Sequence, residues 1–150
     1  MTLTISPESP LTDDAAKLIE GSEAVLLSLY SEDECFSFDA RELDAPEVSF
    51  LVARNAGEAV GCVALVNYGD YGEIKRLFVP ETARGLGVAK ALMARLEADA
   101  SAAGLSAVKL ETGDKLEAAV KLYAALGYTL CGPFADYEDI PASTFMEKTL

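Results

Sequence analysis

Residues 73–92 decide the fold of this chain, and they read EIKRLFVPETARGLGVAKAL. The first part predicts a strand over residues 74–79, which Pro80 ends. Residues 84–89 then form a glycine turn inside which a helix begins. A helix start of this kind offers unpaired backbone N–H groups and the positive end of the helix dipole, and glycines let an anion approach closely. The stretch therefore predicts a site for a phosphate-bearing cofactor.

Length and composition predict a single domain over residues 1–150. About half of the residues are apolar, which is enough for a packed core, and no apolar run approaches the roughly 20 residues that span a bilayer. Residues 1–5 lack the basic and apolar regions of a secretory signal. The three cysteines lack metal-ligand spacing and are typical of thiols in a reducing compartment. We therefore expect a cytoplasmic protein without a metal.

The chain contains no histidine, which removes several classes of catalysis. Ser-His-Asp and Cys-His nucleophiles, imidazole bases and most catalytic zinc sites all depend on that side chain. Proton transfer must then use a carboxylate, a phenol, an amine, a thiol or water.

The net charge of −13 argues against nucleic acid and against anionic membranes as partners. Positive charge is nevertheless concentrated around the glycine turn, because residues 74–95 contain Glu81 as their one acid and these basic side chains: Lys75, Arg76, Arg84, Lys90 and Arg95. This distribution suits an anionic cofactor at the turn and a cationic substrate elsewhere. An ordinary solvated helix face is the alternative explanation.

Hydrophobic periodicity predicts an α/β fold with a mixed, mostly antiparallel sheet of about six to seven strands flanked by about four helices. The predicted strands cover residues 3–5, 48–54, 59–67, 71–79, 107–112, 128–131 and 143–148. Helices are predicted over residues 12–20, 22–30 and 87–103, with a short helical turn near Arg41. Another helix is expected to begin at Asp114, with Glu117 completing a capping box.

The glycine turn departs from the common nucleotide motifs. A P-loop needs Lys-Ser/Thr after the second glycine, where Val88-Ala89 stands, and the dinucleotide fingerprint needs Gly or Ala at residue 90, which is a lysine. Instead, Arg84-Gly85-Leu86-Gly87-Val88-Ala89 fits the Arg/Gln-x-x-Gly-x-Gly/Ala signature of the GNAT superfamily of N-acetyltransferases, which this chain resembles. Residues 110–112 and 119–128 also look like that family's fifth strand and following helix.

The resemblance implies the GNAT acyl-CoA N-acyltransferase fold, with acetyl-CoA as the acetyl donor. The strand over residues 74–79 would part from the strand over 107–112 and hold the pantetheine arm, and the glycine turn would hold the pyrophosphate. Arg84 would either contact a phosphate or brace the turn. The residues implied in cofactor binding are Leu77, Phe78, Val79, Arg84, Gly85, Leu86, Gly87, Val88 and Ala89.

The resemblance also implies direct attack of an amine on the thioester, with no enzyme nucleophile. Tyr123 stands where the family has its general acid, and a buried core tyrosine is the alternative because it lies on an apolar helix stripe. The candidates for the base are Glu111, Glu73 and a water relay. The structural alternatives are a hydrogen-bonded carboxylate for Glu111 and an exposed charge at a strand start for Glu73.

The acceptor amine is expected between residues 30–43 and 133–141, two acidic segments that also carry aromatic side chains. This combination suits a cationic amine, and Glu32, Phe36 and Tyr137 are the candidate contacts; solvated loop charge is the alternative. The expected function is acetyl transfer from acetyl-CoA to a primary amine of a small molecule or a protein. A catalytically silent acyl-CoA-binding module with a sensory or regulatory role is the alternative, and a homodimer is left open.

Overall fold

The computed structural model describes residues 2–150, which form one seven-stranded sheet with helices on both faces. The strands are β1 (Leu3–Pro7), β2 (Val48–Asn55), β3 (Glu58–Asn67), β4 (Tyr71–Phe78), β5 (Ala107–Gly113), β6 (Thr129–Leu130) and β7 (Ser143–Thr149). The helices are α1 (Asp13–Leu29), α2 (Ala40–Leu43), α3 (Val88–Ala102) and α4 (Glu117–Ala125), with 3₁₀ turns at Glu32–Glu34 and Glu81–Ala83.

The strand order is β1-β2-β3-β4-β5-β7-β6. Among the described strands, β4 and β5 are the one parallel pair, and the other neighbours are antiparallel. A parallel pair needs a crossover, which α3 supplies between these two strands. The predicted fold class, a mixed and mostly antiparallel sheet flanked by helices, is confirmed.

Each face of the sheet has its own apolar layer. The larger cluster joins Leu92 of α3 to Val63 of β3, and the smaller cluster joins Leu18 of α1 to Ala64 of the same strand. Val63 and Ala64 are neighbours in sequence and enter opposite layers because successive side chains of a strand point to opposite faces. The sheet is therefore buried on both sides over its centre.

The two helices predicted over residues 12–20 and 22–30 are one continuous helix, α1. A Cβ atom on Gly21 would lie 2.8 Å from the Phe78 ring. Glycine therefore allows α1 to pack closely against β4, and it does not end the helix.

The predicted capping box at the start of α4 is wrong. The helix begins at Glu117, after Leu116 as its N-cap. Asp114 instead accepts a hydrogen bond, at 2.8 Å, from the hydroxyl of Tyr30. The carboxylate assigned to a local cap thus joins the end of α1 to the turn between β5 and α4.

β4 is irregular in its second half, and the sheet opens beside it. Its register against β3 shifts between Cys62 and Ala64, and Arg76 has a φ of 54°. Pairing of β4 with β5 ends at Ile74 and Leu110. Beyond that pair the two strands part, and this opening positions the candidate site.

Over residues 2–150 no helix is both long and apolar enough to cross a membrane. The same residues contain no group of three or more His, Cys, Asp or Glu side chains arranged to hold a metal ion.

Candidate active site

A cavity of about 600 Å³ lies where β4 and β5 part. Both strands contribute to its wall, together with α1, α4 and the start of α3. Arg84 and Ala89 bring the glycine turn to this wall, while Glu111 and Tyr123 bring a carboxyl group and a phenol. One continuous space therefore borders the predicted cofactor turn and two of the predicted catalytic side chains.

The glycine turn enters α3 through two residues in the left-handed region, Gly85 with a φ of 81° and Gly87 with a φ of 77°. Gly87 is the N-cap of α3. A Cβ atom on either glycine would meet none of the described residues beyond its chain neighbours within 4 Å. The turn therefore has open space beside it and a helix start that favours an anion.

Five of the residues implied in cofactor binding line the cavity: Leu77, Phe78, Val79, Arg84 and Ala89. The Arg84 Nε atom donates a hydrogen bond to the Val79 carbonyl at 3.3 Å, so this side chain braces the turn against the end of β4. Leu86 is exposed, whereas Val88 is 2% exposed and belongs to the core. The side chain of Val88 thus anchors α3, and its backbone is the part that can face a ligand.

Tyr123 belongs both to the core and to the cavity wall. Its ring packs edge-on against the ring of Tyr128, with 5.8 Å between the ring centres. Burial raises the pKa of the Tyr123 hydroxyl above its ordinary value of 10.0. The phenol is therefore protonated at neutral pH, which is the form that a general acid needs. The two interpretations of this residue, core tyrosine and site residue, are compatible.

Glu111 faces the cavity from β5, and the Ser143 hydroxyl of β7 donates a hydrogen bond to its Oε2 atom at 2.7 Å. Burial raises the pKa of Glu111 to about 7; the Ser143 bond and the Lys75 charge lower it, and the Glu73 charge raises it. A carboxyl group with this pKa exchanges its proton near neutral pH, as a general base must.

Glu73 is 2% exposed, so it is not an exposed charge at the start of a strand. Its Oε2 atom accepts a hydrogen bond from the Tyr137 hydroxyl at 2.5 Å and lies 3.1 Å from the Lys75 Nζ atom. The part of the cavity wall formed by residues 2–150 does not include Glu73. Its carboxylate is thus a buried, paired group behind the wall.

The three candidate acceptor contacts lie at different depths. Phe36 lines the cavity, and Tyr137 packs edge-on against it from behind, with 5.7 Å between the ring centres. Glu32 is exposed on a 3₁₀ turn, and Glu34 of that same turn is the acid that reaches the wall. The acidic loop over residues 133–141 contributes none of the described wall residues.

The sequence matches the acetyltransferase (GNAT) family model over residues 16–128. The chain belongs to the GNAT acetyltransferase family. An IAA acetyltransferase of Azospirillum brasilense is 44% identical over 150 residues, which cover 99% of this chain and 98% of that protein. The N-acetyltransferase YsnE of Bacillus subtilis, named as uncharacterised, is 38% identical over 112 residues, or 73% of this chain and 74% of its own.

Solved structures of GNAT acetyltransferases and related acyltransferases have the same architecture. The crystal structure of a candidate acyl-CoA N-acyltransferase from Klebsiella pneumoniae matches with a TM-score of 0.84 at 33% identity, over 99% of this chain and 98% of that one. The PaiA N-acetyltransferase of Thermoplasma acidophilum, solved with coenzyme A, matches over the whole of both chains with a TM-score of 0.76. Its identity of 17% shows the shared fold alone. The family and its relatives identify this protein as an N-acetyltransferase.

The cavity wall and the hydrogen bonds behind it also include side chains that the sequence did not predict as site residues. Lys75 is one of the basic residues counted around the glycine turn, but it also follows Glu73 by two positions, so both charges point to one face of β4. Ser143 and Tyr30 gave no such signal, because their partners, Glu111 and Asp114, lie far away in sequence.

Proposed function

We propose that this GNAT enzyme transfers the acetyl group of acetyl-CoA to a primary amine of a small molecule or a protein, by direct attack of the amine on the thioester. One observation carries the proposal: the turn at Arg84, the carboxyl group of Glu111 and the phenol of Tyr123 border the same cavity. A phosphate site, a base and an acid are the groups that this reaction needs, and no metal is required.

Acetyl-CoA is proposed to lie along the opening between β4 and β5. Its pyrophosphate would sit at residues 84–89, where the α3 dipole and the backbone N–H groups favour an anion. Its pantetheine arm would run beside Leu77, Phe78 and Val79 as an added strand. The end of β4–β5 pairing at Ile74 supports this path, because later backbone groups of β4 are then free on that side.

Glu111 is the proposed base. An alkyl amine has a pKa near 10.4, so only about one molecule in a thousand is uncharged at neutral pH, and removing the proton costs about 4 kcal/mol. A carboxylate with a pKa of about 7 can take that proton directly or through a water molecule. Glu73 is the weaker candidate, because Tyr137 and Lys75 already occupy its carboxylate.

Tyr123 is the proposed acid. As the tetrahedral intermediate collapses, the C–S bond breaks and the electron pair stays on sulfur. The Tyr123 hydroxyl would then give its proton to the departing CoA thiolate. The cavity position of this phenol and its raised pKa support the role.

The acceptor is proposed to bind between Phe36 and Glu111. Tyr137 would support Phe36 from behind, and Glu32 would attract a positively charged acceptor from the exposed rim. The relative that is similar over 99% of this chain is named an IAA acetyltransferase, so IAA, a carboxylic acid without a primary amine, is tested as a comparison beside the proposed amine acceptors. Amino acids, polyamines, aminoglycosides and peptides complete the panel.

The deciding experiment measures CoA release from acetyl-CoA with each compound of the panel, beside calorimetric titration of acetyl-CoA alone. Compound-dependent CoA release by the native enzyme, and its loss in Glu111→Gln, is the expected result. Binding of acetyl-CoA with no release across the whole panel would contradict the proposal and favour a silent acyl-CoA-binding module. Absence of acetyl-CoA binding would contradict both.

A further inference from the structure

A buried ion pair lies on β4 at the cavity, with Lys75 in the wall and Glu73 behind it. Glu73 and Lys75 are 2% and 8% exposed, and their charged atoms are 3.1 Å apart. Glu73 is paired in register with Lys109 of β5, and Glu111 follows Lys109 by two positions. Side chains alternate along a strand, so Glu73, Lys75 and Glu111 share one face of the sheet. Lys75 and Glu111 both line the cavity.

The Lys75 ammonium also joins two separate segments of chain. It donates hydrogen bonds to the Phe36 carbonyl at 2.7 Å and to the Tyr137 hydroxyl at 2.6 Å. The same ammonium lies 4.8 Å from the centre of the Phe38 ring and 5.3 Å from that of Tyr137. Two of the three N–H donors of the lysine are used in hydrogen bonds, and the Glu73 carboxylate supplies the opposite charge 3.1 Å away. Lys75 is thus held in one place, and it holds both segments.

We propose that Lys75 is a positioning residue for the acetyl transfer: its ammonium fastens the segment at Phe36 and the loop at Tyr137 to β4, and it sets a fixed positive charge on the same face as Glu111. This inference rests on the proposed role of Glu111 as the base. Glu73 is the paired carboxylate of this buried lysine, and when it is replaced the Phe36 carbonyl, the Tyr137 hydroxyl and the charge of Glu111 remain to stabilise the ammonium.

The charge of Lys75 acts on Glu111 against several neighbours. Burial and the Glu73 carboxylate favour the protonated form of Glu111, while Lys75 and the Ser143 hydroxyl favour the ionised form. The other titratable groups that interact with Glu111, from the end of α1, the following segment and the loop over 133–141, are Tyr30, Cys35 and Tyr137. Burial raises the pKa of all three, so they are neutral near pH 7. Lys75 and Glu73 are therefore the two opposed charges that adjust the base.

The test measures the titration of Glu111 directly, in protein labelled with ¹³C at the glutamate carboxyl carbon. The Glu111 signal is identified by its loss in Glu111→Gln. Removing the cation in Lys75→Met is expected to raise the Glu111 midpoint by about one pH unit, and Glu73→Gln to lower it by a similar amount. The double variant Glu73→Gln/Lys75→Met removes both charges and is expected to return the midpoint close to the native value. Lys75→Arg keeps the cation and should keep the midpoint.

The double variant and Glu73→Gln carry the test even if Lys75→Met does not fold, because neither leaves the Glu73 carboxylate without a cation. Amide hydrogen exchange supplies a second measurement: residues 36–38 and 136–138 are expected to exchange faster in the double variant than in the native chain. The proposal would be overturned if the Glu111 midpoint in Glu73→Gln equalled the native one and amide exchange in the double variant were unchanged.

The titration needs neither acetyl-CoA nor an acceptor, so its outcome is separate from that of the proposed function. Once an acceptor is known, the acidic limb of kcat/KM against pH should move with the Glu111 midpoint in each variant. A midpoint that moves while the limb stays fixed would support the charge effect of Lys75 and overturn the assignment of Glu111 as the base.

Discussion

The phenol of Tyr30 lies against the backbone of Gly113 so closely that a Cβ atom on Gly113 would be 2.2 Å from the Tyr30 oxygen. That oxygen donates a hydrogen bond to Asp114 at 2.8 Å and accepts one from the Lys115 N–H at 2.6 Å. The end of α1 is thereby fixed to the turn between β5 and α4. Tyr30 and Gly113 both line the cavity, so this contact sets the shape of the site.

Gly113→Ala is expected to destabilise the protein by about 1–3 kcal/mol, because the new methyl group must displace the buried Tyr30 ring. Denaturant unfolding measures the loss. Gly132→Ala is the matched control, since a Cβ atom there would meet none of the described residues beyond its chain neighbours within 4 Å. Equal stability of the two variants would contradict the Tyr30–Gly113 contact.

Glu111→Gln is expected to stabilise the protein above about pH 7 and to leave its stability unchanged near pH 4. The pKa of Glu111 is about 7 in the folded state against an ordinary 4.5, so the folded state binds the proton more tightly than the unfolded state. Ionisation of Glu111 therefore lowers the free energy of unfolding of the native protein. This penalty is absent below about pH 4.5, grows between about pH 4.5 and pH 7, and is constant at higher pH. The shift from 4.5 to about 7 is about 2.5 pKa units, so at ~1.4 kcal/mol per unit the gain at about pH 8 is about 3–4 kcal/mol. Thermal or urea unfolding at both pH values measures it, and a gain of equal size at both would contradict the raised pKa.

The same carboxyl group predicts the pH dependence of the reaction. If Glu111 accepts the amine proton, kcat/KM should fall about tenfold per pH unit below pH 7, because the base is then protonated. In Glu111→Gln this decrease at low pH, the acidic limb of the profile, should disappear, and kcat/KM at neutral pH should drop by roughly 10²-fold or more. Glu73→Gln should keep the limb at a shifted position. A limb that persists unchanged in Glu111→Gln would assign the base elsewhere.

The parts of this fold that could be predicted are those with a local cause. The turn at Arg84, the αL glycine Gly87 and the apolar strand over residues 59–67 each express their structure within a few neighbouring residues. These patterns predicted the sheet and α3, whereas the site residues at the end of β4 were implied by the resemblance to the GNAT superfamily. The helix break predicted at Gly21 was wrong, because glycine is needed there to make room for the ring of Phe78, which is distant in sequence.

The residues that could not be predicted depend on long-range contacts. The hydroxyl of Tyr137 reaches Glu73 across 64 positions of sequence, and that of Ser143 reaches Glu111 across 32. A carboxylate at a strand start is most often solvated. Only the folded chain places the Lys75 ammonium and the Tyr137 phenol against Glu73 and so buries it. Burial of Glu73 and the raised pKa of Glu111 follow from that assembly and not from either residue's neighbours in sequence.

Tyr123→Phe is expected to lower kcat by roughly 10²-fold while the affinity for acetyl-CoA stays within about twofold. The change removes the proton donor proposed for the CoA thiolate and keeps the ring that packs against Tyr128. Steady-state kinetics and calorimetric titration of acetyl-CoA measure the two effects. Tyr128→Phe is the control for a lost phenol nearby, because its hydroxyl donates to Glu97. Unchanged turnover in Tyr123→Phe would leave this residue as a core tyrosine.

Gly87→Ala separates backbone strain from cofactor binding when it is compared with Gly57→Ala. Both glycines have a positive φ, 77° and 86°, and at both a Cβ atom would find open space among the described residues. The strain of alanine in the left-handed region is about 1–2 kcal/mol at either position, so the two variants should lose similar stability in urea unfolding.

Gly87 is the N-cap of α3 at the proposed pyrophosphate site, whereas Gly57 lies in the hairpin between β2 and β3. A methyl group at Gly87 would stand between the phosphate and the helix start, so calorimetry should show an acetyl-CoA affinity at least tenfold weaker in Gly87→Ala and unchanged in Gly57→Ala. Equal affinity in the two variants would place the pyrophosphate away from this turn.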